Sequence, residues 1–465
     1  MAAPWRLILA LVLAACGADP RESGGLVRVD SEPEGEHCEA GGASILTGDD
    51  IDGDGYLDNE EVTSTQYVCN GLDEVQCSGG TVLTGTVTIA SAADWLALDK
   101  VNCIDGDLLV AGLSEENLPV LQALEIVTGD VIIAANTKLR TLEALGRLRW
   151  VGGTYLVQGN DSLGDLVGMG GLDRVFAINI IGNTRLPNLH GLEAFVNLHT
   201  TLAITNNVAL EDLSGLHNLV TSNRALTIRS NPRLANLTAL AGLRAVSALE
   251  ISGNGGLPTI DLPQLDKVDF RLLINTNAVL TSVSLPMLTT LGGFAQLDGN
   301  GALVTIDAPQ LVTSGGLLVT NDTSLVSVTM PKLTFMTGDV DFTLVPQLAT
   351  LDFSQLVSIG GRLVVKSAPE LHSFTGFGNL LTIGGQLFVA SCNQLASFAG
   401  LGALTQVSGD MTVTGNAQLA SFAGLEAFTI VGEDLTISAN PMLPPATATA
   451  FAAGITVYGS TTIAP

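Results

Sequence analysis

Basic side chains are scarce in this chain of 465 residues: 19 Lys and Arg stand against 46 Asp and Glu, a formal net charge of −27. A phosphate backbone is held by a positive footprint, so this balance argues against a nucleic-acid-binding protein. Aromatics are sparse at 5%, which argues against a carbohydrate platform built on ring stacking. No apolar run reaches the ~20 residues of a membrane-spanning helix. The nearest, Leu7 to Ala15, is too short. Histidines 190, 199, 217 and 372 are scattered with no Ser or Cys partner pattern, and no nucleotide-binding glycine loop occurs. What is abundant is glycine, with 52 residues, and apolar side chains, at 46%.

Those residues are arranged periodically. The stretch Gly129 to Val151, GDVIIAANTKLRTLEALGRLRWV, contains a Gly-Asp opening, a short β-branched run, an Asn and then Leu at every third position. Aligning on Asn136 gives Asn160, Asn183, Asn207, Asn231, Asn254, Asn277 and Asn300. Asp322, Val345, Ala368, Cys392, Asn416 and Asn440 then continue the series in steps of 22–24 residues. With two earlier strands, Gly85 to Ile89 and Gly106 to Val110, this makes about sixteen coils. A fixed period of this length specifies a solenoid, because one coil cannot bury its apolar ring alone and a stack can. The expected fold is a right-handed parallel β-helix, like a leucine-rich repeat, the hand following from crossover chirality.

Strand alternation sends Val131 and Ile133 inward and Ile132 outward. The inward pair recurs as Leu202 and Ile204, Leu226 and Ile228, and Leu435 and Ile437. Leu139, Leu142, Leu145 and Leu148 complete the interior at a step of three, which suits 3₁₀ turns or extended corners rather than a long α-helix. An inward Asn offers donors and an acceptor to the backbone groups that a corner strands. Leucine-rich repeats accept Asn or Cys there, so Cys392 reads as a buried ladder residue. Coils between Leu257 and Met336 are shorter and carry Pro263, Pro286, Pro309 and Pro331, one per coil, expected to mark an extended return segment. They imply a change of cross-section within one solenoid.

Residues 1–15 read as a signal peptide, with Arg6 before the apolar Leu7 to Ala15. Leu13-Ala14-Ala15-Cys16 resembles the bacterial lipoprotein lipobox. The resemblance implies cleavage before Cys16, lipidation of its sulfur, and anchoring at the outer membrane or cell surface of a Gram-negative bacterium. Residues 16–37 then form a flexible acidic tether. Residues 38–76 form a small Cys-bounded module containing DIDGDGYLDNEE. That run matches an EF-hand calcium loop through Asp50, Asp52, Asp54, the Tyr56 carbonyl, Asp58 and Glu61, with Gly55 at the sharp turn. The entering helix is missing, since CEAGGASILTG is glycine-rich. The alternative is a metal-free acidic turn. The module resembles a Cys-bounded module of myxobacterial lipoproteins, which implies export and supplies no activity.

With Cys16 lipidated and Cys392 buried, Cys38, Cys69, Cys77 and Cys103 allow three pairings. The expected set is Cys38–Cys69, closing the acidic module, and Cys77–Cys103, stapling the first coil. The solenoid proper spans 77–440. Residues 441–465 form a C-terminal cap, made of a helix over Pro444 to Gly454 and a last strand over Ile455 to Tyr458.

The pattern G-D-L-x-I-x2-N-x2-L with L-x2-V returns resembles the receptor L domain over roughly residues 80–465. That family includes the ligand-binding lobes of the insulin and epidermal-growth-factor receptors and fungal cell-wall proteins, whose coils the LP-x-L repeats are most like. The resemblance implies a binding module and transfers no binding residue. The outward face is the candidate surface: Leu109, Ile132 and Leu156 near its start, and a second row containing Arg229 and Asp298. The alternative is ordinary β-propensity on a solvated sheet.

The expectation is therefore a non-catalytic, surface-anchored lipoprotein for adhesion, ligand binding or envelope structure. Its partners would be the membrane, through the lipid, and a protein or glycan, with no nucleic acid. The alternative is a polysaccharide-active β-helix enzyme. Against it, the outward acids Glu250 and Asp341 lie four coils apart, roughly 19 Å, wider than a glycosidase pair. The Gly-Asp residues Asp107, Asp130, Asp339 and Asp410 read as turn formers.

Overall fold

The computed structural model describes residues 25–32, 42–49, 62–69, 77 and 80–464. Two compact units emerge, Met1–Gln76 and Cys77–Pro465. In the first, β1 (Gly25–Glu32), β2 (Gly42–Asp49) and β3 (Val62–Cys69) form an antiparallel sheet in that order. β1 begins inside the segment whose composition suggested a tether. Its Gly25–Glu32 backbone pairs along the whole of β2. The acidic run lies between β2 and β3, which are antiparallel neighbours with Gly48 opposite Val62. Cys16, Cys38, Asp50, Asp52, Asp54, Tyr56, Asp58 and Glu61 lie outside the described residues.

The second unit is a parallel β-solenoid of about 17 turns. Its main sheet starts with Val87–Ile89, Leu108–Ala111 and Val131–Ala134 and ends with Thr461–Ala464, every strand pairing in parallel with its equivalent one coil on. A second row of short strands runs beside it, from Thr81–Thr84 to Thr456–Val457. In several coils the two rows fuse into one bent strand, such as Thr221–Arg229 or Lys267–Asn275, with a register shift or gap in the pairing at the bend. The interior is as alternation requires: Val131, Ile133, Leu202, Ile204, Leu435 and Ile437 are all buried. So are Leu139, Leu142, Leu145 and Leu148, and backbone bonds of the i to i+3 kind join that series, Leu145 N–H to Leu142 C=O and Leu148 N–H to Leu145 C=O. Each such side chain contributes roughly 1.5–3 kcal/mol on leaving water.

The proline coils carry a third, five-stranded sheet: Thr259–Asp261, Ser282–Ser284, Thr305–Asp307, Ser327–Thr329 and Thr350–Asp352. The extended segment precedes the proline. Pro263 itself lies in a turn closed by Leu265 N–H to Leu262 C=O at 3.1 Å, and Pro286, Pro309 and Pro331 repeat this. The fixed φ of proline suits position i+1 of a turn, and its missing N–H is not needed there.

Both ends are covered. At the first coil α1 (Ala92–Leu96), capped by Ser91, buries Trp95, whose indole N–H donates to the Pro119 carbonyl at 2.8 Å. The Cys77–Cys103 disulfide ties the chain entry to the second-row strand Val101–Asp105. At the far end α2 (Pro445–Ala453) presents Phe451 to a core stack of Phe374, Phe398 and Phe422. The expected single cap strand is instead two, Thr456–Val457 and Thr461–Ala464, which pair with Ile430–Val431 and Leu435–Ser438. They make the seventeenth turn, one more than the repeat count indicated. It lacks the Asn and the Leu spacing by which the other turns are recognised.

Candidate binding face

The outward face is built on a buried corner ladder. Asn136, Asn160, Asn183, Asn207, Asn231, Asn254, Asn277, Asn300, Asn416 and Asn440 are all fully buried. Asn231 is representative. Its Nδ2 donates to the Ile204 carbonyl at 2.9 Å, and its Oδ1 accepts the Asn207 backbone N–H at 3.0 Å. Each amide therefore satisfies two backbone groups of the preceding coil, which the bend would otherwise leave without partners. Cys392 keeps the pattern in part: its Sγ approaches the Val365 carbonyl at 3.7 Å, and burial pushes its thiol up to about 12. A thiol so held is inert at neutral pH.

Immediately before the ladder the chain turns through the left-handed region. All nine non-glycine residues of positive φ among the described residues stand one place ahead of a ladder position, including Ser230, Thr276, Asn321 and Leu344. This turn ends each main-sheet strand and fixes the last outward residue beside the corner.

Two outward rows result. In the first, Leu109, Ile132 and Leu156 pair in register and are half-buried. The same row continues through Glu250, Leu273, Gln296, Leu318 and Asp341, which confirms that Glu250 and Asp341 stand four strands apart. In the second, Arg229, Ser252, Asn275 and Asp298 are consecutive neighbours. Arg229 and Asp298 thus share a row with each other and not with the apolar trio, which lies several coils away.

Four buried side-chain atoms among the described residues have no hydrogen-bond partner: Tyr155 Oη, Ser252 Oγ, Asn275 Oδ1 and Asp322 Oδ2. Tyr155 and Asp322 are interior. Ser252 and Asn275 are adjacent on the outward row, bracketed by Arg229 and Asp298. Ser252 is 7% exposed. On one flank Arg229 Nε lies 3.9 Å from Glu250 Oε1. On the other, Asp298 Oδ1 accepts from Asn321 Nδ2 at 2.8 Å and from the Thr320 hydroxyl. Strand alternation alone identifies Arg229, Ser252, Asn275 and Asp298 as outward. It carries no information on whether their polar atoms find partners.

The Gly-Asp residues do more than form turns. Asp107 Oδ1 accepts the Asp130 N–H, Asp130 the Thr154 N–H, Asp339 the Arg362 N–H and Asp410 the Asp434 N–H, all at 2.7–3.0 Å. They are a second corner ladder, linking successive coils. Arg362 also pairs with Asp339 at 3.0 Å and lies 3.6 Å from Asp341. Elsewhere a recess of about 440 Å³ is lined by Glu116, Lys138, Arg140, Asp165 and Arg185. Arg140 is engaged there by Glu116 at 3.1 Å.

Residues 25–69 match the family model described as a domain of unknown function, DUF7151. The match covers the three-stranded sheet and the acidic run and none of the solenoid. No curated protein matches the chain.

Proposed function

We propose that the protein is a non-catalytic lipoprotein, held at the outer membrane or cell surface through Cys16, whose solenoid presents its outward sheet to an external ligand. The observation that carries this reading is the regular outward face itself, on which Leu109, Ile132 and Leu156 pair in register and stay half-buried, and Arg229 and Asp298 stand on one second row. The ladder corners and the LP-x-L coils with their own sheet support a receptor-L-domain-like reading of the solenoid. A structural envelope role is the second form of the proposal, favoured by the length and regularity of the stack. The four-coil separation of Glu250 and Asp341 supports binding over hydrolysis.

The acidic run, in this reading, is a calcium loop carried by a β-hairpin. Strands flank it, β2 ending at Asp49 and β3 starting at Val62, where an EF-hand has helices. Asp50, Asp52, Asp54, Asp58 and Glu61 supply hard carboxylate oxygens at calcium-loop spacing. Residues 17–76 hold 16 Asp and Glu against two Arg, so a divalent cation would relieve strong self-repulsion. The test of anchoring is palmitate labelling combined with protease shaving of intact cells. Labelling lost in Cys16→Ser, with the wild-type protein shaved from the surface, is expected. Labelling retained in that variant would overturn the lipoprotein assignment.

A further inference from the structure

We propose that the recess between Lys138 and Arg185 is a binding site for a phosphate monoester carried on a polyol ring, such as a sugar phosphate. The site lies past the corner ladder, on the segments that follow Asn136, Asn160 and Asn183, so it is separate from the outward sheet and independent of the reading of that sheet. Basic residues concentrate here. Residues 138–185 hold six Lys and Arg against four Asp and Glu, in a chain whose net charge is −27.

Three successive coils build the recess. Ser162 Oγ donates to the Thr137 carbonyl at 2.7 Å and the Gly164 N–H to the Arg140 carbonyl at 2.9 Å, so the second coil lies directly on the first. Thr184 Oγ1 donates to Asp161 Oδ1 at 3.0 Å and seats the third. Lys138 and Arg185 therefore stand on the outer two coils, about 9.6 Å apart at two strand spacings. Ser162 and Gly164 line the floor between them. Their small size leaves a volume of about 440 Å³, within the roughly 300–1,000 Å³ of small-molecule sites.

Charge selects the ligand. Arg140 is held by Glu116 at 3.1 Å. Lys138 and Arg185 are exposed, and neither has an acid or hydrogen-bond partner among the described residues. Their long side chains reach toward one group from either wall and bring only donors. The ligand must supply negative charge and acceptors. A phosphate monoester carries about −1.5 to −2 at pH 7 on three acceptor oxygens and matches two unpaired cations; a carboxylate or sulfate ester carries a single charge. An extended polyanion is repelled by the acidic remainder of the chain. On the floor, Asp165 Oδ1 accepts from the Thr141 hydroxyl at 2.8 Å and the Val167 N–H at 3.1 Å. Its other oxygen has no partner among the described residues. That oxygen and the lone pairs of Ser162 accept from hydroxyls of a ring attached to the phosphate.

The test is calorimetric titration of the full-length protein with the 6-phosphates of glucose, mannose and galactose, with glucose 6-sulfate and inorganic phosphate for comparison. Sedimentation with phosphatidylcholine vesicles, with and without phosphatidylinositol 4-phosphate, presents the same ester on a lipid. At least one ester should bind saturably, free in solution or on the vesicle, and the arm that binds identifies its source. Binding should weaken as salt rises. Lys138→Gln and Arg185→Gln should each weaken it about tenfold or more. Lys332→Gln, which removes an exposed cation bonded to Gln310 on a distant coil, should not. Neither recess side chain has a partner in the fold, so melting of both variants should match the wild type and exclude misfolding as the cause. Absence of binding in both arms overturns the proposal, as does binding that survives both recess substitutions. Equal affinity for glucose 6-sulfate overturns the phosphate class, and inorganic phosphate binding as tightly as the esters overturns the ring.

Discussion

Asp322 occupies a ladder position where eight preceding coils use Asn, and replacing it by Asn gives a quantitative test of the ladder. Its Oδ1 accepts the Asn300 N–H at 2.7 Å, as an amide oxygen would, and its Oδ2 has no partner. By position in the repeat, the carbonyl that an amide nitrogen would reach is that of Leu297. Burial pushes the carboxyl up to about 7, helped by the negative Asp298 and opposed by the bonds from Asn300. An unfolded Asp titrates near 3.9, so the shift is roughly three units, with a ceiling of about 4 kcal/mol. Between those values the folded chain holds a proton that the unfolded chain has released. Stability due to this group is therefore greatest below about pH 4, falls as pH rises to about 7 and is level above it. Asp322→Asn should remove that slope and stabilise the solenoid at pH 8 by about 2 kcal/mol or more. Hydrogen-exchange protection of the segment 298–345, measured for both proteins from pH 5 to 8 with intrinsic exchange rates corrected, reads the difference. An unchanged slope, or a variant less stable at pH 8, would refute a neutral, amide-like Asp322.

Four further substitutions probe the same framework. Asn231→Ala leaves the Ile204 carbonyl and the Asn207 N–H without partners and should cost about 1–3 kcal/mol for each group, read as a lowered denaturation midpoint. Tyr155→Phe deletes a fully buried hydroxyl that has no partner, so it should be neutral or stabilising by about 1 kcal/mol; a loss of stability would reveal a partner for that hydroxyl. Leu344→Gly relieves a left-handed backbone at φ 59° and should raise the melting temperature. In contrast, Gly376→Ala sets a Cβ 1.6 Å from the Leu351 carbonyl oxygen and should unfold the coils around it.

Much of this architecture is legible in the sequence because one coil repeats so often. Inward Leu and Asn positions follow from period and alternation alone, and Leu139 to Leu148 or Asn207 to Asn300 fall where that logic puts them. The left-handed turn before the ladder was less visible. Gly159, Gly182, Gly253 and Gly299 mark it, but Ala135, Thr276 and Leu344 fill the same place and disguise the requirement. Proline misled by one step, since a φ near −65° suits both a strand end and the first corner of a turn. Asp130 and Asp339 looked like turn formers because the N–H groups they accept lie a full coil further on. The row at Ser252 and Asn275 was legible as outward and no further, since satisfaction of a polar atom depends on neighbours in three dimensions. Asp322 passed as an ordinary replacement for Asn until its second oxygen proved to lack a partner.

The central claim is that the outward row of the solenoid is where this protein meets its ligand. The most direct measurement is binding of the lipid-free protein, fluorescently labelled, to intact cells and to their purified envelope polysaccharide. Wild type is compared with the charge-reversed pair Arg229→Glu and Asp298→Lys. The account predicts saturable binding by the wild type, at least tenfold weaker in the double variant, with a cooperative melting transition retained. Equal binding by the two proteins would contradict it and assign recognition to another part of the chain.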